Sequence, residues 1–209
     1  MKPDWIAPNR TAVIVIDCQV DFGSPDGEMA RQGKDMSKPQ AALAQAVRLV
    51  DAARGAGVKV VFVRLLTHPG GENRIAREAK ARHHDNEPDL CVEGSAGADF
   101  IGPLPQADEA IVSKTHFSAF ARTGLADQLH TQGIDTLVLA GLTTECCVAS
   151  SAWDGFEHDF HIFIAEDACA AYEAELHSHA LKALALSGAG VARTEEFAVS
   201  WKFPIISNR

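Results

Sequence analysis

Short runs of apolar, largely β-branched residues recur along the chain, and the best of them are continuously apolar instead of alternating with polar residues. A strand buried on both faces, as in a parallel sheet covered by helices, has this pattern. The sequence predicts six such strands, at residues 11–16, 58–63, 110–113, 136–140, 160–165 and 191–194. The chain is therefore constrained to a sheet whose two faces are both covered.

Helical patterns separate several of these runs, as a parallel sheet requires of its crossover connections. They cover residues 39–54, 123–132, 141–157 and 173–187. The alternation of strand and helix predicts an α/β fold, a three-layer α-β-α sandwich with a mostly parallel, Rossmann-like six-stranded sheet. We expect residues 1–209 to form a single domain.

Residues 18–37 are polar and contain glycine and proline, so they are predicted to form a loop. Residues 66–107 are the least regular stretch, and a short helix is predicted within it at residues 74–82. A connection of this length in a compact domain is typical of a functional loop or a lid.

Composition excludes several classes of protein. The net charge is −9 over 209 residues, which argues against a nucleic-acid partner. We expect no membrane span, because no window approaches about 20 unbroken apolar residues. The first residues lack the apolar region of a signal peptide. Five scattered cysteines suggest reduced thiols, and we expect a cytoplasmic protein.

Chemically distinct side chains follow three of the predicted strands. Asp17 follows the first strand, Lys114 the third, and Cys146 and Cys147 the fourth, after a turn at Gly141. Ligands of open α/β sheets bind outside the carboxyl ends of the strands, and these ends share one edge of a parallel sheet. We therefore expect the carboxylate, the ammonium and a thiol to converge.

The three groups form a coherent catalytic set. A cysteine in the first turn of a helix meets unpaired N–H groups, which lower its pKa from about 8.5 to about 3.5–7.5. Asp17 can take the thiol proton, and Lys114 can hold Asp17 ionised and favour the thiolate. Taken singly, each also fits a simpler role: small buried cysteines, a turn-capping aspartate and a solvated lysine.

Three ordered blocks of sequence resemble the signature motifs of the isochorismatase-like cysteine hydrolases. They are residues 13–22 (VIVIDCQVDF), 111–120 (IVSKTHFSAF) and 139–148 (LAGLTTECCV). The resemblance spans about residues 10–172. Residues 90–99 (LCVEGSAGAD) are similar to a loop of the N-carbamoylsarcosine amidase and ureidoacrylate amidohydrolase type branch.

The resemblance implies a role for each strand-end residue. Asp17 matches the base of this family and Lys114 its lysine. Cys147 matches the nucleophile, because the family places that residue directly before a small apolar residue, here Val148. Adjacent helical residues point about 100° apart, so we expect Cys146 to pack in the core.

The resemblance also implies an oxyanion hole formed by the N–H groups of Thr143 and Cys147, with a cis peptide between Leu142 and Thr143. It implies a homo-oligomer, a dimer or tetramer, that uses no cofactor. We expect no metal site, because the second strand is followed by residues 64–69 (RLLTHP) without an Asp-x-His motif. The adjacent histidines at 83–84 lack the spacing of metal ligands and are predicted to be exposed.

Five residues are candidates for binding the substrate. Aromatic side chains exclude water from a reaction, and Phe22, Phe117 and Phe120 are predicted to form the pocket wall. Arg64 is predicted to hold a substrate carboxylate through bidentate contacts. Thr144, beside the nucleophile, is predicted to contact the substrate. Core packing remains an alternative for Phe22 and Phe120.

The favoured function is a cysteine-dependent amidohydrolase that cleaves a C–N bond of a small carboxamide or ureido compound through a thioester acyl-enzyme. One alternative is an isochorismatase-type vinyl-ether hydrolase, in which Asp17 acts as an acid and Cys147 is a bystander. A second alternative is a non-catalytic binding or assembly module, against which the intact set of three residues argues.

Overall fold

A computed structural model describes residues 2–68, 78, 82 and 88–202. Six parallel strands form one sheet in the order β3-β2-β1-β4-β5-β6. Their bounds are Thr11–Ile16 (β1), Lys59–Leu65 (β2), Ala110–Lys114 (β3), Thr136–Leu142 (β4), His161–Ala170 (β5) and Gly190–Ala192 (β6). The α/β prediction is confirmed, and the sheet is parallel throughout these strands.

Helices cover both faces of the sheet. They are Val20–Gly23 (α1), Glu28–Arg31 (α2), Ser37–Gly55 (α3), Leu125–Thr131 (α4), Ala149–Glu157 (α5), Ala174–Leu186 (α6) and Thr194–Lys202 (α7), with a π-helical turn at Thr144–Val148. Side chains of α4, α5 and α6 form one core with the sheet, and those of α3 and α7 form the other. Strand residues alternate between the two cores, which explains why β1 and β4 are buried throughout.

The structure differs from the sequence prediction at several elements. Helix α7 was not predicted, and two short helices, α1 and α2, interrupt the segment predicted to be a loop. Strand β5 runs five residues beyond its predicted end, through a shift of register against β4. The predicted helix at 74–82 and the histidines at 83–84 fall outside the described residues, apart from positions 78 and 82. None of the described helices is long and apolar enough to cross a membrane.

The strand order places a topological switch point at the centre of the sheet. Strands β1 and β4 are neighbours, and the chain proceeds from them towards opposite edges, so their carboxyl ends flank the switch point. Close approach of the strands there requires Gly141, whose φ is +130°. A Cβ on this residue would lie 1.9 Å from the carbonyl oxygen of Ile16.

Candidate active site

The structure brings the three predicted strand-end residues together in a buried cluster. Lys114 Nζ lies 2.7 Å from Asp17 Oδ2 and donates a hydrogen bond of 3.4 Å to Cys147 Sγ. The side chains of Asp17 and Lys114 are both fully buried. Lys114 Nζ also donates to the carbonyl oxygen of His116 at 3.0 Å. One ammonium group therefore bridges the carboxylate and the thiol away from solvent.

The ends of the strands set this geometry. Asp17 leaves β1 in the left-handed region, with φ of 51°, while its N–H donates to the Val63 carbonyl oxygen at 2.9 Å. Lys114 is the last residue of β3 and pairs in register with Leu65. Cys147 lies in the π-helical turn that follows β4. Each group is thus fixed by backbone pairing and not by a mobile loop.

Burial and mutual charge dominate the electrostatics of the cluster. Burial raises the pKa of the Asp17 carboxyl above its usual value, although the Lys114 ammonium and the Cys147 thiol lower it. Burial opposes the charge on Lys114, but Asp17 and Cys147 outweigh it and raise the pKa of the ammonium. Lys114 accordingly keeps its proton, and Asp17 is a stronger base than a solvent-exposed aspartate.

The two adjacent thiols influence each other through a hydrogen bond. The pKa of the Cys147 thiol is raised well above its usual range by its hydrogen bond with Cys146, by burial and by the Asp17 charge, while Lys114 lowers it. The hydrogen bond with Cys147 lowers the pKa of the Cys146 thiol. The prediction of a lowered pKa at Cys147 is therefore not supported, because the hydrogen bond with Cys146, burial and the Asp17 charge together outweigh the effect of Lys114. A thiol with a raised pKa must lose its proton to a base before it can react.

Cys146 was predicted to pack in the core. It is only partly buried, and it packs against the core that α4, α5 and α6 form with the sheet. Lys114 contacts the sulfur of Cys147, so a thiolate forming there gains a charge-assisted contact. The geometry thus distinguishes the two cysteines, as does the resemblance to the family motif.

The π-helical turn presents backbone N–H groups beside Cys147. The N–H groups of Cys146 and Val148 both donate to the Thr143 carbonyl oxygen at 3.2 Å. Among the described residues, the Thr143 N–H has no acceptor, and the Cys147 N–H has none outside the turn. The Leu142–Thr143 peptide is cis. Both N–H groups belong to the residues for which the resemblance to the family implies an oxyanion hole.

The structure places two of the predicted substrate contacts away from the buried cluster. Arg64 pairs in register with Ser113, to whose hydroxyl its Nε donates at 3.0 Å, whereas Lys114 pairs with Leu65. Because neighbouring residues of a strand point to opposite faces, Arg64 lies on the face away from Lys114. Phe120 is buried in the core formed with α4, α5 and α6 and stacks on Phe160 at 5.7 Å, which is the core packing that the sequence analysis left open for it.

A third predicted contact, Thr144, is buried, and its hydroxyl forms a hydrogen bond of 2.8 Å with His177 Nδ1 on α6. This hydrogen bond anchors the π-helical turn to α6, and the predicted substrate contact of Thr144 stays a prediction. Phe117 is 65% exposed in the loop after β3, near the site but outside the buried cluster. Phe22 is partly buried and packs against two clusters of buried residues. Its role as a pocket wall stays a prediction.

Two buried polar residues that the sequence analysis did not single out hold the loops around the site. Gln19 Nε2 donates to the carbonyl oxygens of Leu65 and Ala98 at 2.9 and 3.0 Å, and its Oε1 accepts from the Leu65 N–H at 2.8 Å. Asp21 accepts from the Cys91 N–H at 2.7 Å. Both lie in the first motif block, two and four residues after Asp17. This alternate spacing was the sequence signal that could have identified them.

The part of the chain that the structure describes contains no group of three or more histidine, cysteine, aspartate or glutamate residues arranged to hold a metal ion.

The model of the isochorismatase domain matches residues 11–196. The chain belongs to the isochorismatase family.

Relatives with curated functions in this family include amidohydrolases. Ureidoacrylate amidohydrolase RutB of Methylobacterium radiotolerans is 31% identical over 181 residues, which is 80% of this chain and 70% of that protein. Maleamate amidohydrolase of Pseudomonas putida is 33% identical over 164 residues, 76% of this chain and 71% of that protein. A cysteine hydrolase of Pseudomonas syringae pv. phaseolicola has the same fold, with a TM-score of 0.82, 24% identity and 95% of each chain covered.

Proposed function

We propose that this protein is a cysteine-dependent amidohydrolase that cleaves a C–N bond of a small carboxamide or ureido compound. The observation that carries the proposal is the single buried ammonium of Lys114, which contacts both Asp17 Oδ2 and Cys147 Sγ. Membership of the isochorismatase family and similarity to two amidohydrolases support it.

In the proposed reaction, Asp17 removes the Cys147 thiol proton as sulfur attacks the substrate carbonyl carbon. The C–S bond forms, and the carbonyl electron pair moves to oxygen. When the tetrahedral intermediate collapses, the C–N bond breaks, and the proton held by Asp17 passes to the departing nitrogen, which leaves as ammonia or an amine. Asp17 then takes a proton from water, which attacks the thioester, and the acid product leaves with Cys147 again a thiol.

The raised pKa values at the site suit this sequence of proton transfers. A base with a pKa raised towards the working pH can both accept and return a proton within one cycle. Lys114 keeps its charge throughout and stabilises the thiolate while it forms. The Thr143 and Cys147 N–H groups are proposed to receive the oxyanion, since donors fixed before the reaction need no reorganisation.

A vinyl-ether hydrolase is the weaker alternative. Its chemistry needs an acid to protonate the substrate, and the thiol has no role in that reaction. The contact between Lys114 and Cys147 Sγ, in a cluster closed to solvent, instead favours a sulfur that carries negative charge during the reaction.

The test is ammonia release from a panel of small amides and ureides, with Cys147→Ala as the inactive variant and Cys146→Ala as the matched control. The panel is ureidoacrylate, maleamate, N-carbamoylsarcosine, biuret and nicotinamide. We expect ammonia from at least one compound, lost in Cys147→Ala and retained in Cys146→Ala. Full activity of the Cys147→Ala protein would refute the proposal, as would thiol-insensitive turnover of isochorismate without ammonia from any amide.

We also propose that the protein works in a reducing compartment, the cytoplasm, as a homo-oligomer. The absence of disulfides among its five cysteines supports the first point, because structural disulfides are rare where thiols are kept reduced. The exposed apolar side chains of Trp153 and Leu176, which lie on α5 and α6, support the second.

A further inference from the structure

The sulfur and the ammonium that meet in the site come from strands that are not neighbours. Lys114 ends β3 at one edge of the sheet, and Cys147 follows β4, with β2 and β1 between them. Lys114 Nζ nevertheless donates to Cys147 Sγ at 3.4 Å. Because sheet pairing links β3 to β4 only through two intervening strands, a contact outside the sheet would fix this distance more directly.

The Ser151 hydroxyl on α5 makes such a contact. It donates to the Cys147 carbonyl oxygen at 2.7 Å, and it accepts from the Ala119 N–H at 2.9 Å. Ala119 lies in the loop of residues 115–120 that follows Lys114, here called the lysine loop. Ser151 and Ala119 are both fully buried. One hydroxyl, closed off from solvent, therefore joins the residue that bears the sulfur to the lysine loop.

The lysine loop is in turn tied to the ammonium, because Lys114 Nζ donates to the His116 carbonyl oxygen at 3.0 Å. A closed circuit therefore runs from Lys114 to His116, along the loop to Ala119, through Ser151 to Cys147, and from the sulfur back to the ammonium. A change at the Ser151 link alters where the ammonium lies relative to the sulfur.

A hydrogen bond from a helical serine to the carbonyl four residues earlier is common and carries no function by itself. On α7, Ser200 makes the same contact with the Glu196 carbonyl oxygen at 2.8 Å. Ser151 differs in its second contact, since the Ala119 N–H comes from a loop 32 residues away in the sequence. This bridge between two segments of the site gives Ser151 a role that a local helix contact does not have.

We propose that Ser151 is a positioning residue that holds the Cys147 sulfur against the Lys114 ammonium by joining α5 to the lysine loop. This rests on the proposed function, because it assigns Ser151 to the site at which Cys147 reacts. Ser151 acts through its two hydrogen bonds and takes no part in the reaction itself. Its loss leaves the buried Ala119 N–H unpaired, so the loop must move to find another acceptor. A misplacement of about 1 Å can lower a reaction rate about a hundredfold.

Steady-state kinetics on an amide that the wild type hydrolyses separate positioning from binding. Ser151→Ala should fold, since alanine favours a helix. It should lower kcat about tenfold to a hundredfold and change KM less than about threefold, because the alignment of the reacting groups is disturbed and not the binding of substrate. Ser200→Ala removes the same kind of helix contact without a bridge, so it should change neither constant.

A second pair of variants isolates the hydroxyl from the volume of the side chain. Ser151→Thr keeps the hydroxyl, whereas Ser151→Val has the shape of threonine without it. A helical threonine can still donate to the carbonyl four residues earlier. Ser151→Thr should therefore recover most of the kcat that Ser151→Val loses.

Alkylation of Cys147 by iodoacetamide gives a measurement that needs no substrate. Lys114 lowers the pKa of the Cys147 thiol, so a longer contact between them should slow the reaction. We expect the rate at pH 8, read at Cys147 by tandem mass spectrometry, to fall about threefold or more in Ser151→Ala, the effect of a rise in pKa of about half a unit. A wild type inactive on every amide would count against the proposed function, yet this rate would still test Ser151.

Four results would overturn the proposal. Faster alkylation in Ser151→Ala would mean that the lysine loop had merely opened. A kcat of Ser151→Ala within about twofold of wild type, or an effect confined to KM, would show that the alignment does not depend on Ser151. Equal loss of kcat in Ser151→Thr and Ser151→Val would show that the hydroxyl is not the cause.

Discussion

Replacing Lys114 by methionine should destabilise the folded protein as well as inactivate it. The side chain would keep an unbranched apolar stem but lose the ammonium group that lies 2.7 Å from the carboxylate of Asp17. Asp17 would then be a fully buried carboxylate without a counterion. Removal of one partner of a buried ion pair typically costs about 3–5 kcal/mol of unfolding free energy, because the other charge stays buried and unpaired.

The loss of unfolding free energy in this variant has an upper bound that depends on pH, because Asp17 can take up a proton and become neutral. Neutralising an aspartate costs about 1.4 kcal/mol for each pH unit above its unfolded pKa of about 3.9. The bound is therefore about 4 kcal/mol at pH 7 and about 1.5 kcal/mol at pH 5. Burial already raises the pKa of Asp17, and loss of Lys114 raises it further. A group with a raised folded pKa loses stability as pH rises, so the deficit of the variant must grow from pH 5 to pH 7.

Urea denaturation of wild type and variants at pH 5 and pH 7 tests this reasoning. Lys59→Met is the matched control, since Lys59 is an exposed lysine at the start of β2 and should cost less than about 0.5 kcal/mol. The double variant Asp17→Asn with Lys114→Met removes both charges and should recover most of the loss at pH 7. A deficit below about 1 kcal/mol at pH 7, or one that does not change with pH, would refute a buried pair of full charges.

Three further predictions concern the Cys147 thiol, the hydrogen bonds by which Gln19 clamps the loops around the site, and the close approach of β1 and β4 at Gly141. Asp17→Asn should abolish turnover yet speed alkylation of Cys147 at pH 8, because the Asp17 charge raises the pKa of that thiol; slower labelling, read by tandem mass spectrometry, would contradict this. Gln19→Leu should lower the unfolding free energy by about 1–3 kcal/mol, since three backbone groups lose their partner, and a urea midpoint equal to wild type would argue against the clamp. Gly141→Ala should yield no folded protein by circular dichroism, because its Cβ would lie 1.9 Å from a β1 carbonyl oxygen, and a cooperative unfolding transition would count against so close an approach of the strands.

The sheet could be predicted from sequence because its central strands are buried on both faces. Strand β1 is apolar and fully buried, and few structures besides a covered parallel sheet produce such a short, continuously apolar run. Helix α7 was missed because it is short and buries few apolar side chains, chiefly Phe197 and Trp201, which give a weak periodic signal. Strand β6 has only three residues, so its predicted end was displaced.

The convergence of Asp17, Lys114 and Cys147 followed from topology, since parallel strands deliver their ends to one edge. The direction of single side chains did not follow. Arg64 and Leu65 are neighbours on β2, but only Leu65 shares a face with Lys114, and a shift of one residue reverses such an assignment. The partner of Thr144 lies 33 residues away on α6, a contact that no local pattern encodes.

The most direct test of Cys147 as the nucleophile is the mass of the protein quenched during turnover. We expect an acyl adduct equal to the substrate minus its departing amine, carried by Cys147 and released by hydroxylamine as a thioester. The Cys146→Ala variant should form the same adduct and the Cys147→Ala variant none. Turnover by wild type with no adduct under single-turnover conditions, or an adduct that persists in Cys147→Ala, would contradict the assignment.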